Sequence, residues 1–167
     1  MVRLQKVGKE EETILHNLMQ LYIYEFSKFI PDISLEQNGT YMPFALDKYW
    51  ELPNYHPYFI KLDDELIGFA LIKSATGSTP NTINEFFIIQ KYNGKGYGKK
   101  AAIMLFDMYP GKWRITQIQK NYPAQAFWRG VITKFTNNNY TESYDEDRRS
   151  VQEFDSFSNR QGSKNTF

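Results

Sequence analysis

A chain of 167 residues is long enough to close a hydrophobic core and short enough to do so as one domain. With 20 basic and 19 acidic residues it is close to neutral, which removes the electrostatic reason to propose nucleic acid or an anionic membrane as its main partner. Zero cysteines exclude disulfides, thiolate metal sites and a cysteine nucleophile, and two histidines, His16 and His56, are too few for a histidine-rich metal site, so no metal is expected.

Val2, Leu4 and Val7 alternate, predicting a short strand over 1–7 that Gly8 breaks. No secretory leader precedes that strand and no apolar run is long enough to span a bilayer, so a cytoplasmic location is expected. Glu10, Glu11 and Glu12 then stand where a helix N-terminus favours negative charge. Ile14, Leu15, Leu18, Met19, Tyr22, Phe26 and Phe29 recur at helical spacing as a core-facing stripe, and Pro31 closes the helix. Segment 32–58 is irregular, with turn signals at Asn38, Gly39 and Pro43 and a short helix over 44–50. Its Tyr41, Tyr49, Trp50 and Tyr55 either line an acceptor pocket or cover a secondary core.

Strands over 58–62 and 66–72 form a hairpin across Asp63, Asp64 and Glu65, and a polar loop over 74–81 leads into a strand over 83–89. Three strands with short links predict an antiparallel sheet. After that third strand Gly94, Gly96 and Gly98 alternate, and from Lys99 the apolar residues Ala102, Leu105, Phe106 and Tyr109 return at helical spacing until Pro110 and Gly111. Such a strand, turn and helix start aim unpaired amides and the positive helix end at one point, where phosphate is the usual occupant. Lys95, Lys99 and Lys100 add positive charge. The alternative is a flexible, lysine-rich surface loop.

The strand over 112–119 follows a strand-helix connection and should lie parallel to the strand over 83–89. Asn121 can cap the next helix, with Pro123 in its first turn and Ala124, Phe127, Val131 and Phe135 as its apolar stripe. Residues 140–144 and 150–154 read as a closing hairpin around the charged turn 145–149. The domain is expected over 1–156, with a disordered tail over 157–167.

Three phosphate loops can be compared with residues 92–99. A nucleotide-triphosphate P-loop requires a hydroxyl after Gly-Lys, but Gly98 and Lys99 are followed by Lys100, and Asn93 stands at its first glycine. A dinucleotide fingerprint is matched by Gly96, Gly98 and Ala101, yet residues 114–120 lack the acidic residue expected roughly twenty positions on. The third comparison covers more of the chain. Asn93, Gly94, Lys95, Gly96, Tyr97 and Gly98 resemble the pyrophosphate loop of the GNAT superfamily of N-acetyltransferases, with Gly96 and Gly98 on its two small positions and Asn93 where the family has Gln or Arg. Asn121, Ala124 and Phe127 match a second motif of that family, and Trp128 stands in place of its usual tyrosine.

The resemblance runs along the chain and implies an α/β (α+β) fold: a mixed, mainly antiparallel sheet with a splayed parallel strand pair and flanking helices, a GNAT-like acyl-CoA N-acyltransferase fold. It implies acetyl-CoA as co-substrate. The pantetheine arm would fill the splay beside Phe87, Ile88 and Ile89, and the pyrophosphate would sit on Asn93, Gly94, Lys95, Gly96, Tyr97, Gly98 and Lys99. Asn121, Phe127 and Trp128 would flank the arm, and a strand N–H would serve as oxyanion donor.

Relatives often carry a glutamate on this strand, so Glu85 is the candidate general base, the other reading being a solvated strand-end residue. An indole is a donor but not an acid at neutral pH, so Trp128 cannot take the tyrosine's role, and water, Tyr122 or Tyr140 would protonate the thiolate. The implied activity is direct acetyl transfer to a primary amine of a small molecule or peptide, by a monomer or homodimer. The other class left open is a non-catalytic acyl-CoA-binding sensor or interaction domain. Glu25, Asp32, Glu36 and Glu51 are acids able to attract a cationic acceptor, or simply surface charge.

Overall fold

The computed structural model describes residues 1–158. Four strands form one antiparallel sheet in chain order: β1 (Val2–Lys6), β2 (Tyr55–Leu62), β3 (Glu65–Lys73) and β4 (Thr82–Ile88). Three more, β5 (Lys112–Gln117), β6 (Thr141–Tyr144) and β7 (Ser150–Asp155), form a second antiparallel sheet in the order β5, β7, β6. The expected parallel neighbours β4 and β5 meet at one bridge. Asn81 N–H donates to the Lys112 carbonyl and Arg114 N–H to the Asn81 carbonyl, each at 2.9 Å. Beyond that bridge no ladder joins β4 to β5 among the described residues. The predicted splay is present.

The bridge is locked by a buried side chain. Asn81 Nδ2 donates to the carbonyls of Tyr109 and Lys112, and its Oδ1 accepts from Ala75 N–H at 2.8 Å. One amide therefore ties the entry to β4, the entry to β5 and the end of the intervening helix. It leaves the far ends of the two strands free to diverge.

Because side chains alternate across a sheet, the first sheet buries two cores. Tyr58, Ile60, Ala70 and Ile72 point to the side covered by α3 (Tyr97–Met108) and α4 (Tyr122–Thr136). Phe59, Phe69 and Leu71 point to the side covered by α1 (Glu12–Ser27) and the short α2 (Lys48–Glu51). The first core centres on Phe106, fully buried, with Phe154, Trp113 and Phe135 rings at 4.9, 5.0 and 5.1 Å. Burying such a ring contributes about 2–3 kcal/mol.

Several boundaries differ from expectation. A 3₁₀ turn, Lys9–Glu11, precedes α1, and the Glu11 carboxylate accepts from Gly8 N–H at 3.0 Å. The buried line of α1 is Leu15, Leu18, Met19 and Ile23, whereas Ile14 lies on its flank and is 43% exposed. The helix expected over 44–50 is confined to α2, because Pro43 to Leu46 run irregularly. On α4 the buried apolar positions are Trp128, Val131 and Ile132, with Ala124, Phe127 and Phe135 only partly buried beside them. Ser156 N–H donates to the Gly111 carbonyl and Phe157 N–H to Asp155, so the chain stays tied past β7. The rest of the predicted tail, 159–167, lies outside the described residues.

Candidate active site

The glycine-rich turn leaves β4 through a 3₁₀ turn, Gln90–Tyr92, and enters α3 at Tyr97. Gly94 and Gly96 hold φ of 74° and 82°, the left-handed region where a β-carbon is strained. Gly98 has another role. A β-carbon there would stand 3.3 Å from Ile88 Cγ1 and 3.4 Å from the Phe127 ring, so its absence lets α3 close onto β4 and α4. Gly96 caps the helix with no side-chain partner for its first amides, and the first intrahelical bond is Lys100 N–H to the Gly96 carbonyl. The Tyr97, Gly98 and Lys99 amides are left unpaired by the helix. Lys99 contributes an ammonium whose pKa is lowered by its neighbour Lys134, a like-charge contact that an anion would relieve.

A groove of about 760 Å³ runs from this turn between β4, α4 and the end of α1. Of the sequence-predicted residues, Phe87, Ile88, Asn93, Gly94, Gly96, Tyr97, Gly98, Lys99, Asn121, Phe127 and Trp128 line it. Lys95 and Ile89 do not: Lys95 is exposed on the turn, and Ile89 packs between the two cores. Asn121 Oδ1 accepts from Ala124 N–H at 3.1 Å, the predicted cap. Trp128 is buried to 6% exposure with its ring against Phe86, Phe106 and Phe127, so the indole is a structural wall of the groove.

The backbone that faces the splay is not the one expected. Ile89 N–H donates to the Ile67 carbonyl at 2.8 Å, and the register pairs Phe87 with Phe69 and Glu85 with Leu71. Hydrogen-bonded pairs recur every second residue, so Phe87 and Ile89 spend their amides on β3, and those of Phe86 and Ile88 point into the gap. A bulge at Asn84, where the partner of Leu71 is Glu85 and that of Ile72 is Ile83, sets this parity. Phe86 was therefore missed. Nothing in residue type announces a one-residue bulge.

On the opposite face of β4, Tyr22 of α1 donates its hydroxyl to Glu85 Oε2. Glu85 is partly buried, and that burial pushes its carboxyl above the usual carboxylate range, against the Tyr22 hydroxyl and the Lys48 charge, which pull it down. Burial, with the Glu85 charge, raises the Tyr22 phenol, so it remains a donor. A cleft of about 470 Å³ opens between β4 and β5, lined by Glu85, Phe86, Ile115, Gln117 and Trp128. Tyr22, Phe86, Asn121 and Trp128 line both this cleft and the groove, so the two spaces meet there. Tyr122 and Tyr140, the other proton donors considered, border neither space: Tyr122 is 70% exposed, and the Tyr140 hydroxyl accepts from Thr133. Of the four scattered acids only Glu25 lines the groove, and it pairs with Lys28 at 3.7 Å. His56 contacts the Ser74 hydroxyl at 3.0 Å and His16 contacts Glu12, both outside the site.

A glycine cradle, a split between parallel strands and a carboxylate at their junction define an acyl-CoA-binding acyltransferase architecture. The acetyltransferase (GNAT) family matches the chain over residues 16–131, and the chain belongs to that family. No curated protein sequence matches it. Among solved structures, an acetyltransferase from Thermus thermophilus is similar at 15% identity and a TM-score of 0.64, with 93% of this chain and 97% of that one covered. The PaiA N-acetyltransferase of Thermoplasma acidophilum, solved in complex with coenzyme A, aligns at 12% identity and TM-score 0.59 over 93% of this chain and 99% of that one. A Vibrio cholerae spermidine N-acetyltransferase chimera aligns at 11% identity and TM-score 0.64, covering 96% of this chain and 98% of that one. Among the described residues no helix is long and apolar enough to cross a membrane, and no group of three or more His, Cys, Asp or Glu is placed to hold a metal ion.

Proposed function

We propose that the protein transfers the acetyl group of acetyl-CoA to a primary amine by direct attack in a ternary complex, with Glu85 as the general base. The observation that carries this reading is the position of Glu85: it lines the inter-strand cleft and accepts from the Tyr22 hydroxyl, and Tyr22 lines both that cleft and the groove.

The pyrophosphate is assigned to the unpaired amides of residues 97–99, where the helix N-terminus and Lys99 favour negative charge. The pantetheine arm is assigned to the splay, bonding the outward backbone of Phe86 and Ile88 like an added strand, with Asn121 and Phe127 opposite. A strand amide turned into the gap is positioned as a donor to the acetyl oxygen as it gains charge. Glu85 takes the proton that the acceptor nitrogen must lose, the C–N bond forms, and the C–S bond breaks with its electron pair leaving on sulfur. Water supplies the thiolate proton, because Trp128 has no acidic group and Tyr122 and Tyr140 border neither space. Tyr22 acts as a positioning residue that holds the carboxylate toward the cleft. The acceptors in the names of similar proteins, spermidine for one and the ribosomal protein S18 alanine for another, differ too widely to be transferred to this chain.

The test is thiol release from acetyl-CoA over a panel of amines, run with the thermal shift caused by acetyl-CoA alone. Acetylation of an amine by the wild type and its loss in Glu85→Gln, with the coenzyme shift retained, is the expected result. A coenzyme shift with no thiol release for any amine would leave a binding module in place of an enzyme.

A further inference from the structure

Glu85 also lines a second space. On the side of Glu85 toward α2 lies a cavity of about 700 Å³, walled by the segment leading into α2, α2 itself and the ends of β2, β3 and β4. Phe44, Thr82, Asn84 and Glu85 line both this cavity and the inter-strand cleft, so an acceptor with its amine at Glu85 has the cavity open to the rest of its body.

The polar chemistry of the cavity is cationic. Lys48 Nζ lies 5.0 Å and Lys73 Nζ 5.7 Å from the centroid of the same Tyr55 ring, and all three residues line the space. Among the described residues neither ammonium has a carboxylate within ion-pair distance. Three other lysines do hold acids: Lys9 with Glu12 and Asp47, Lys28 with Glu25, Lys91 with Glu65. The ring face attracts each ammonium, and with no acid paired to either one the wall carries two positive charges that an entering anion would neutralise.

Among the described residues Glu85 is the single carboxylate lining the cavity, and it is engaged by Tyr22. The remaining polar wall is neutral: Thr82, and the Asn84 amide donating to the Tyr49 hydroxyl at 3.0 Å. With two unpaired ammoniums against one engaged carboxylate, this wall disfavours a second ammonium on the acceptor. It is built for an anion.

Resting on the acetyl-transfer reading above, we propose that the acceptor is an amine that also carries an anionic group, a carboxylate or a phosphate, which Lys48 and Lys73 bind while its amine faces Glu85. The Lys48 charge already acts on Glu85, which places the two groups within electrostatic reach of one small molecule. A polyamine would instead bring positive charge toward two unneutralised lysines.

The experiment compares ω-amino carboxylates of increasing chain length with their amides, aminoalkyl phosphates with the corresponding amino alcohols, and both with spermidine. The readouts are thiol release from acetyl-CoA and the thermal shift of the coenzyme A complex. At least one anionic series is expected to exceed its neutral counterpart by about tenfold or more in kcat/KM, and the two series distinguish carboxylate from phosphate. The Lys48→Glu, Lys73→Glu double variant is expected to close that gap and turn the preference toward spermidine, while acetyl-CoA still shifts its melting temperature as evidence that it folds.

The inference is overturned if neutral amines or spermidine match the anionic series in the wild type, or if the preference survives charge reversal. It is equally overturned if no anionic amine is acetylated or shifts the complex. Acetylation of neutral amines in those cases leaves the transferase reading intact. Failure of acetyl-CoA itself to shift the protein brings that reading down as well.

Discussion

The two faces of β4 are built from different materials. The face toward α3 and α4 is made of backbone and absent side chains: left-handed Gly94 and Gly96, the close approach permitted by Gly98, and outward amides set by a bulge. The face toward α1 and α2 is made of side chains drawn from separate segments: Tyr22 from a helix, Lys48 from a short helix, Lys73 from a strand end, Glu85 from the bulged strand. A backbone site suits a ligand that never changes. A side-chain site can be rewritten residue by residue without disturbing the first, so the fold can keep one coenzyme and vary the acceptor.

That division is broken most directly at Glu85, which belongs to the side-chain face. Glu85→Gln keeps the shape and the Tyr22 contact but removes the proposed base, so amine acetylation should fall by about 10²–10⁴-fold while acetyl-CoA still raises the melting temperature as in the wild type. Steady-state thiol release with calorimetric coenzyme binding checks both halves. Equal losses of rate and coenzyme binding would mean that the two faces are not separable.

The converse is Gly98→Val. A β-carbon at Gly98 already meets Ile88 and Phe127 at 3.3 and 3.4 Å, and two further methyl groups must displace α3 or fill the groove. Overpacking of this kind costs about 1–3 kcal/mol, and the acetyl-CoA thermal shift is expected to vanish. Differential scanning fluorimetry with and without coenzyme reads both effects. An unaltered coenzyme shift would remove Gly98 from the site.

The same division explains what could be read in advance. Glycines at alternate positions after an apolar strand, and Asn121 three residues before the amide it caps, are local patterns, and they mark α3, α4 and the groove. The antiparallel order of β1 to β4 follows from short links, and the parallel placement of β5 from the helix between it and β4. What stayed hidden depends on parity and on distance along the chain. A single bulge at Asn84 exchanges Phe87 and Ile89 for Phe86 and Ile88 at the gap, because hydrogen bonding alternates with period two. Tyr22 reads as one more core aromatic of α1, since nothing between residues 22 and 85 states that its hydroxyl meets a carboxylate. Lys48 and Lys73 lie 25 residues apart in sequence and converge only on Tyr55.

Both faces depend on the splay, and the splay depends on Asn81. Asn81→Ala removes two donors and one acceptor at a position only 2% exposed; the Lys112 carbonyl keeps the Asn81 backbone N–H and the Tyr109 carbonyl keeps the Trp113 indole, but the Ala75 amide loses its partner. A buried polar group left unpaired costs about 1–3 kcal/mol, so a loss in that range is expected in urea unfolding. Because the clamp sits at the closed end of the wedge, coenzyme affinity should weaken along with stability. Lost stability at unchanged affinity would show that the wedge is held open by the flanking helices alone.

The finest distinction is electrostatic. Burial raises the Glu85 carboxyl, and the Tyr22 hydroxyl and Lys48 oppose it, so the proposed base loses its proton at a pH above that of an ordinary carboxylate, but below the value burial alone would set. Acetylation by a deprotonated base rises with pH through that transition, which places an acid limb in kcat/KM for the acceptor. Lys48→Met removes the opposing charge while keeping an unbranched side chain over Tyr55, so the carboxyl holds its proton to higher pH and the acid limb moves upward. A solvent-exposed ammonium is screened, so the displacement should shrink as salt is added. An acid limb that stays fixed in Lys48→Met, or that shifts downward, would assign the titration to the amine of the acceptor instead of to Glu85.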